Sequence, residues 1–417
     1  MKTKIMSLIV GCICFTTACS DDNTENQVND IKSQLKSAQL VEASNEFGIN
    51  LFKETNKLAP DKNLFVSPFS ALQALSMTYN GANGITKSEM ATTLGFKDAS
   101  EAQVNEYNQS LAKALLNADA KVMFEIANSI WYRQEYNVLP AFIEINQNSY
   151  NAEVKPCNFS DPSTLNAIND WCSIKTHEKI PTILDQIPDD AFMYLINAIY
   201  FKGSWQFSFD KSKTQTADFY LNHDAKVDHS QMMLQTQLNY SSNNTFSAIE
   251  LPYGNGTFNF VILLPAYDKT VDDIINGLSS QQWKETISSM TKSDVVVKMP
   301  KFKLECEGLL NNPLKSMGMT TAFTGAADFS KITTDAGLFI SRVIHKTFID
   351  LNEEGTEAAA VTAVEMKFTS TGGETNTTKW FIANQPFVYA ITEKSTGAIL
   401  FIGKMLNPTE EKTKFTE

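Results

Sequence analysis

The chain has 417 residues, of which 43% are hydrophobic and 27 are Phe, so it can bury a large core. Its formal net charge is −12, and its Lys and Arg residues form no cluster along the sequence. Both features disfavour binding to nucleic acid or to a polyanionic cofactor such as heparin, and we expect no cofactor.

Residues 1–18 are typical of a secretory signal, because two lysines precede an apolar run that is too short to span a bilayer. The small residues before Cys19 resemble the lipobox of bacterial lipoproteins, although Thr16 stands where leucine is usual. The acidic residues after Cys19 resemble an export tag of surface lipoproteins. We therefore expect export across the inner membrane and a lipid on Cys19 that anchors the chain to the outer membrane. A signal peptide without lipid is the alternative.

The body of the chain is predicted to be one domain. Residues 19–38 are polar and charged, which predicts a tether that could reach roughly 60 Å when extended. Residues 39–408 contain no Gly/Ser-rich or proline-rich break, no charge block and no repeat, so we predict a single domain there. Residues 409–417 are predicted to be a polar tail.

Helices and strands alternate along this domain. A first helix ends at Pro60, and a second runs from Pro68, behind the N-cap Ser67, to Gly81. Further helices are predicted at 138–150 and 165–176. Strands are predicted at 124–131, 194–201, 257–265, 295–304, 338–351 and within 380–405. The class is therefore α+β, with a large sheet and helices beside it.

Residues 353–370 have the pattern of a strand that ends in an exposed loop. No proline lies between Gly355 and Thr369, and the polar residues 370–379 include two glycines. Alternation places only small or apolar residues on one face. These are Thr356, Ala358, Ala360, Thr362, Val364, Met366 and Phe368. An alanine-rich helix is the alternative, but three β-branched residues at 361–364 disfavour it.

The string Glu-Glu-Gly-Thr-Glu-Ala-Ala-Ala at 353–360 resembles the hinge of the reactive-centre loop of the serpins. The string Asn-Ala-Ile-Tyr-Phe-Lys-Gly-Ser-Trp at 197–205 is another strong match, and residues 384–387 and 396–403 resemble the C-terminal hairpin of that family. The resemblance spans residues 39–408. It implies the serpin fold, with a large central sheet, two further sheets, eight to nine helices and a reactive-centre loop at about 353–379.

The resemblance also implies roles for three groups of residues. The hinge comprises Glu353, Gly355, Thr356, Glu357, Ala358, Ala359, Ala360 and Thr362. The lock that keeps the sheet closed comprises Ser67, Ser70, Asn197 and His345. In this lock His345 is expected to hydrogen-bond Asn197; a solvent-facing strand histidine is the alternative. At the top of the sheet lie Trp205 and an ion pair between Lys301 and Glu353, which taken alone would be surface charges.

The function implied by the resemblance is suicide-substrate inhibition of serine proteases. Family spacing places the scissile bond at Thr369–Ser370, which suits an elastase-like protease. A shift of one or two positions would offer Phe368 to chymotrypsin-like or subtilisin-like proteases, or Lys367 to trypsin-like ones. Papain-like cysteine proteases are further candidate partners, and a monomer is expected. The alternatives are a non-inhibitory serpin that is cleaved as a substrate, and a surface lipoprotein of another binding class.

An enzyme is not expected. The four histidines lack zinc-ligand spacing, no serine has a nucleophile-elbow pattern around it, and no glycine-rich phosphate loop follows a strand. We expect no metal site. Beyond Cys19 the chain has Cys157, Cys172 and Cys306, an odd number, so at least one thiol stays unpaired; buried free thiols are expected.

Overall fold

The computed structural model describes residues 30–189, 191–222, 224–335, 337–357 and 378–415. Nine α-helices lie in these ranges. They are α1 (Leu40–Leu58), α2 (Pro68–Tyr79), α3 (Gly84–Thr93), α4 (Glu101–Leu116), α5 (Pro140–Tyr150), α6 (Pro162–Lys175), α7 (Val271–Gly277), α8 (Ser280–Ser289) and α9 (Asn311–Ser316). No helix of the described part combines the length and the apolar character that crossing a bilayer requires.

A sheet of seven strands carries the site. Its strands are β2 (Val122–Arg133), β3 (Glu153–Cys157), β4 (Met193–Ser204), β10 (Phe302–Leu309), β11 (Ile344–Asn352), β12 (Gly355–Thr356) and β16 (Lys412–Phe415). Their order across the sheet is β16-β10-β11-β12-β4-β2-β3. The short β12 therefore lies between β11 and β4, antiparallel to both.

A second sheet has nine strands. They are β1 (Leu64–Val66), β5 (Gln215–Tyr220), β6 (Lys226–Ser242), β7 (Phe246–Pro252), β8 (Phe258–Pro265), β9 (Thr291–Pro300), β13 (Lys379–Ile382), β14 (Phe387–Glu393) and β15 (Ile399–Met405). The two further sheets implied by the resemblance are two parts of this one sheet. They are continuous because β6, with 17 residues, pairs with β7 near one end and with β5 near the other.

Two hydrophobic clusters lie on opposite faces of the seven-stranded sheet. The main core includes Leu72 and Leu75 of α2, which packs on one face of the sheet and also contacts β15. A smaller cluster lies on the other face, where Trp171 of α6 and Leu184 pack against Ile196 of β4. The N-cap Ser67 fixes the start of α2, because its hydroxyl accepts a hydrogen bond from the N–H of Ser70 at 3.2 Å.

Both ends of the predicted domain need correction. Residues 30–38, predicted as part of the tether, lie on the body, because the Ile31 side chain is fully buried in the main core. The predicted polar tail includes β16, which pairs in parallel with β10 and buries Thr413 and Phe415 while its lysines point outward. The folded unit among the described residues therefore extends from Asp30 to Phe415.

Two of the predicted strands were also wrong in extent. Residues 295–304 form the end of β9 and the start of β10, which belong to different sheets and are separated at Lys301. The strand predicted for 338–351 begins only at Ile344. Before Ile344, the backbone forms hydrogen bonds with a side chain instead of with a strand. The Asn311 side chain accepts from the Val343 N–H and donates to the Ser341 carbonyl oxygen.

Candidate functional site at the entry to the seven-stranded sheet

The hinge sequence enters the sheet as a third strand between β11 and β4. Thr356 lies opposite Leu351 on one side and Gly203 on the other, and Gly355 lies opposite Asn352 and Ser204. Position 355 requires glycine, because its φ is 145° and a Cβ there would collide with the carbonyl oxygen of Gly203. The sheet is therefore already open at this end by the width of one strand.

Thr356 faces the main core and is 2% exposed. Its hydroxyl lies 2.6 Å from the hydroxyl of Tyr253, whose ring stacks on Trp205 with the ring centroids 4.4 Å apart. The indole N–H of Trp205 donates to the carbonyl oxygen of Asn352 at 2.9 Å, just before the hinge. Trp205, which the sequence placed at the top of the sheet, thus binds the chain where it leaves β11 and supports the hinge through Tyr253.

The hinge glutamates Glu353 and Glu357, and Glu354 beside them, each form an ion pair with a lysine from a different part of the chain. The pairs are Glu353 with Lys301 at 3.2 Å, Glu354 with Lys211, and Glu357 with Lys179 at 2.7 Å. Burial alone would raise the pKa of Glu353, but hydrogen bonds, including one from the Thr214 hydroxyl, and the charge of Lys301 hold that pKa below its ordinary value. Three ion pairs therefore hold β12 and the residues on either side of it.

Below β12 the two flanking strands are separated. Within the described residues β4 and β11 form no ladder with each other, and a cavity of about 230 Å³ lies between them. Ala71 and Ala74 of α2 line it on the core side. On the other side lies the covering segment, residues 176–189 between α6 and β4, which contributes Ile180 and Ile183. The cavity is thus a slot between two strands, with a floor and a roof.

His345 lines this slot from β11 and is neutral. The backbone N–H of Ser67 donates to its Nε2 at 3.0 Å, so the proton of the neutral ring is on Nδ1. Burial lowers the pKa of His345 to about 4, which favours the uncharged ring. Ser67 also donates from its hydroxyl to the Leu400 carbonyl oxygen at 2.8 Å. His345 is therefore tied to the start of α2.

Asn197 lines the slot from β4, across from His345. Its side-chain N–H donates to Asn128 Oδ1 at 2.8 Å. The Ser70 hydroxyl donates to the backbone carbonyl oxygen of Asn197 at 3.5 Å. The Asn197 Oδ1 is buried and has no hydrogen-bond partner in the described part of the chain. The predicted hydrogen bond between His345 and Asn197 is wrong for this structure, because the hinge keeps β4 and β11 apart and each side chain binds a different neighbour.

Several predicted residues lie outside the described part. They are Cys19, the hinge residues Ala358, Ala359, Ala360 and Thr362, and the candidate reactive positions Lys367, Phe368, Thr369 and Ser370. Sequence reasoning missed Tyr253, Lys179, Lys211 and Thr214. Each contacts the hinge from a distant part of the chain, and no local pattern could have indicated these contacts.

No group of three or more His, Cys, Asp or Glu side chains among the described residues could hold a metal ion. Cys157, Cys172 and Cys306 are free thiols. Burial raises the pKa of Cys172 and of Cys306 to about 12, so neither is a thiolate at neutral pH.

The comparisons with known proteins agree on one family. The family model described as serpin (serine protease inhibitor) matches residues 42–408. The intracellular coagulation inhibitor 2 of Tachypleus tridentatus is 34% identical over 405 residues, which are 95% of this chain and 97% of that protein. The leukocyte elastase inhibitor of Sus scrofa is 35% identical over 387 residues, 89% of this chain and 100% of its own. The native-state crystal structure of the thermophilic serpin tengpin superposes with a TM-score of 0.80 at 34% identity, covering 88% of this chain and 94% of tengpin.

Among the described residues, the seven-stranded sheet thus holds a two-residue strand above a cavity that separates β4 from β11. Together with the match over residues 42–408, this architecture identifies the class. The chain belongs to the serpin family of serine protease inhibitors.

Proposed function

We propose that the chain is a suicide-substrate inhibitor that traps serine proteases when its cleaved reactive-centre loop inserts into the seven-stranded sheet. The observation that carries this proposal is β12. Gly355 and Thr356 are already paired with both flanking strands, and the slot beneath them separates the same two strands. This arrangement supports an insertion that begins at this end of the sheet.

The first step is ordinary proteolysis. The serine oxygen of the protease bonds to the carbonyl carbon of residue 369, the bond to the nitrogen of residue 370 breaks, and that nitrogen leaves with a proton from the protease histidine. An ester then links the two proteins, and water would normally hydrolyse it. The released residues 356–369 insert instead. At ~3.3 Å per residue this strand is about 46 Å long, so the protease is carried far from its docking position and its active site is distorted before hydrolysis.

The register of β12 predicts where the inserted strand would place its residues. Thr356 lies opposite Gly203 and Leu351. Six positions further along, Thr362 would come between Asn197 and His345 and would face the same side as Thr356. Its hydroxyl would offer a donor to the Asn197 Oδ1, which has no partner among the described residues. The two polar residues that interrupt these apolar strands would therefore be satisfied in the inserted form.

The target class is proposed from the loop sequence and from the relatives. Residues 369–370 are Thr and Ser, small side chains that an elastase-like protease accepts. The relatives named leukocyte elastase inhibitor support the same class. Cleavage after Phe368 would suit chymotrypsin-like or subtilisin-like proteases, and cleavage after Lys367 would suit trypsin-like ones, so these are secondary targets. Papain-like cysteine proteases are a further group to test.

The experiment is incubation with an elastase, a chymotrypsin, a subtilisin, a trypsin and a papain, followed by denaturing electrophoresis. We expect a band with the mass of the protease plus the inhibitor up to residue 369, because the fragment from residue 370 onward separates on denaturation. This band should resist boiling and be broken by hydroxylamine, which cleaves esters. A protease whose catalytic serine has been blocked is the control and should give no band. Cleavage in the loop without this band would indicate a non-inhibitory serpin. Neither cleavage nor a band with any of the five proteases would contradict the proposed function and leave a member of this family that binds something else.

We also propose, from the sequence of residues 1–29 alone, that the protein is lipid-anchored through Cys19 at the outer membrane. The apolar run and the small residues before Cys19 support this proposal. Mass spectrometry of the N-terminal peptide from the membrane fraction should find a diacylglycerol on Cys19. The Cys19→Ala variant should lose this modification; an unmodified Cys19 in the mature protein would contradict the proposal.

A further inference from the structure

The covering segment is held over the slot by apolar contacts. Its Ile180, Ile183 and Leu184 are buried in the smaller hydrophobic cluster together with Ile196 of β4. A strand that enters the slot must therefore pass beneath this segment, and any polar group that the segment directs toward the sheet will meet the incoming chain. Lys179, immediately before Ile180, is such a group.

Lys179 is directed toward the sheet by a left-handed turn at the end of α6. His177 and Glu178 have φ values of 49° and 64°, a conformation that ends the helix abruptly. The N–H of Lys179 donates to the carbonyl oxygen of Thr176 at 3.0 Å, and the N–H of Ile180 donates to the Thr176 hydroxyl at 3.1 Å. The backbone on both sides of Lys179 is thus fixed, which fixes the direction of its Cα–Cβ bond.

The group that Lys179 meets is the hinge carboxylate of Glu357. The Glu357 side chain is 5% exposed, and its carboxylate lies 2.7 Å from the Lys179 ammonium, which also lies 5.2 Å from the ring centre of Phe348 on β11. Burial, and next the neighbouring Glu357, raise the pKa of Tyr200 on the opposite strand. The carboxylate is therefore desolvated between β4 and β11, where it needs a cation.

We propose that Lys179 is a positioning residue that holds the hinge in the sheet through Glu357 and so sets the fraction of protease attacks that end in trapping. This inference rests on the proposed inhibitory function. The N–H of Glu357 already donates to the carbonyl oxygen of Asp350 at 2.8 Å, which is the partner that continuation of the β12 register assigns to it. The ion pair and this hydrogen bond therefore hold Glu357 in register where β12 ends, at a φ of 55°. They favour insertion because the strand starts from an anchored end.

The test compares lysines of equal exposure. Lys179 and Lys175 both have side chains that are 38% exposed and both form ion pairs, but Lys175 binds Glu153, away from the hinge. Lys179→Met should raise the partition ratio, the number of inhibitor molecules hydrolysed per protease trapped, by about fivefold. Glu357→Gln should do the same, and the double variant should be no worse than either single one, because both remove one interaction. Lys179→Arg should restore the wild-type ratio, and Lys175→Met should not change it.

A second readout separates this inference from the proposed function. Hydrogen–deuterium exchange of the intact protein should show faster exchange at residues 355–357 in Lys179→Met than in wild type, with no such change in Lys175→Met. If wild type traps proteases but Lys179→Met leaves the ratio and the exchange unchanged, or lowers the ratio, the role of Lys179 is wrong and the inhibitory function stands. If wild type traps no protease, the proposed function is wrong, and the exchange result alone then decides whether Lys179 anchors the hinge.

Discussion

Replacing Thr356 by arginine should convert the inhibitor into a substrate. Thr356 lies between two strands, is 2% exposed and faces the hydroxyl of Tyr253 at 2.6 Å, so a guanidinium there would be buried without a carboxylate among its contacts. An unpaired buried charge of this kind destabilises by about 3–5 kcal/mol. The hinge of the variant should therefore leave the sheet in the intact protein. At about 1.4 kcal/mol for each factor of ten in rate, its re-entry after cleavage would slow by about 100-fold or more, and hydrolysis of the ester would finish first.

The assay for Thr356→Arg is titration of a fixed amount of protease, with the products separated by denaturing electrophoresis. We expect loop cleavage at the wild-type rate, a loss of the covalent band and no loss of protease activity. Thr356→Val is the matched control, because it keeps the shape and removes only the hydrogen bond to Tyr253, worth about 1 kcal/mol. Trapping by the arginine variant at the wild-type level would refute the idea that residue 356 must lie within the sheet for trapping.

Two further predictions concern the packing around the sheet. Burial lowers the pKa of His345 from its ordinary 6.5 to about 4, so between these pH values the unfolded chain binds a proton that the folded chain does not. The free energy of unfolding should therefore fall as the pH drops from 6.5 toward 4, by about 2 kcal/mol at pH 5. The denaturation midpoint of wild type should therefore drop more between pH 7 and pH 5 than that of His345→Gln, and equal drops would contradict this origin. Phe415 is buried against β10, so Phe415→Ala should loosen β16 by about 3 kcal/mol and speed deuterium exchange of the Glu305 N–H, which donates to the Glu411 carbonyl oxygen. Unchanged exchange would show that β16 is held by its backbone pairing alone.

The hinge could be predicted from the sequence because its information is local. From Thr356 onward every second residue is small or apolar, and glycine precedes them at the position where a side chain would collide with β4. The second helix was likewise predictable from its N-cap Ser67 and from Pro68. These features depend on the residues themselves and on the geometry of one strand or one helix turn.

Other features depend on contacts between distant segments. Lys179 and Tyr253 touch the hinge from far along the chain, and nothing in their neighbouring residues indicates it. The strand β16 has only four residues, too few for its alternation of lysine with Thr413 and Phe415 to predict a strand. The hydrogen bond between His345 and Asn197 was predicted for a closed sheet, and it is absent from the described residues because the hinge holds the sheet open.

The most direct measurement of the central claim is the thermal unfolding of the protein before and after cleavage in its reactive-centre loop. If residues 356–369 fill the slot between β4 and β11 once they are free, the cleaved protein gains a strand paired on both sides, and its unfolding temperature should rise well above that of the intact protein. Thr356→Arg, cleaved in the same way, should show little of this rise. A cleaved wild-type protein that unfolds at the same temperature as the intact one would contradict the insertion on which the proposed inhibition depends.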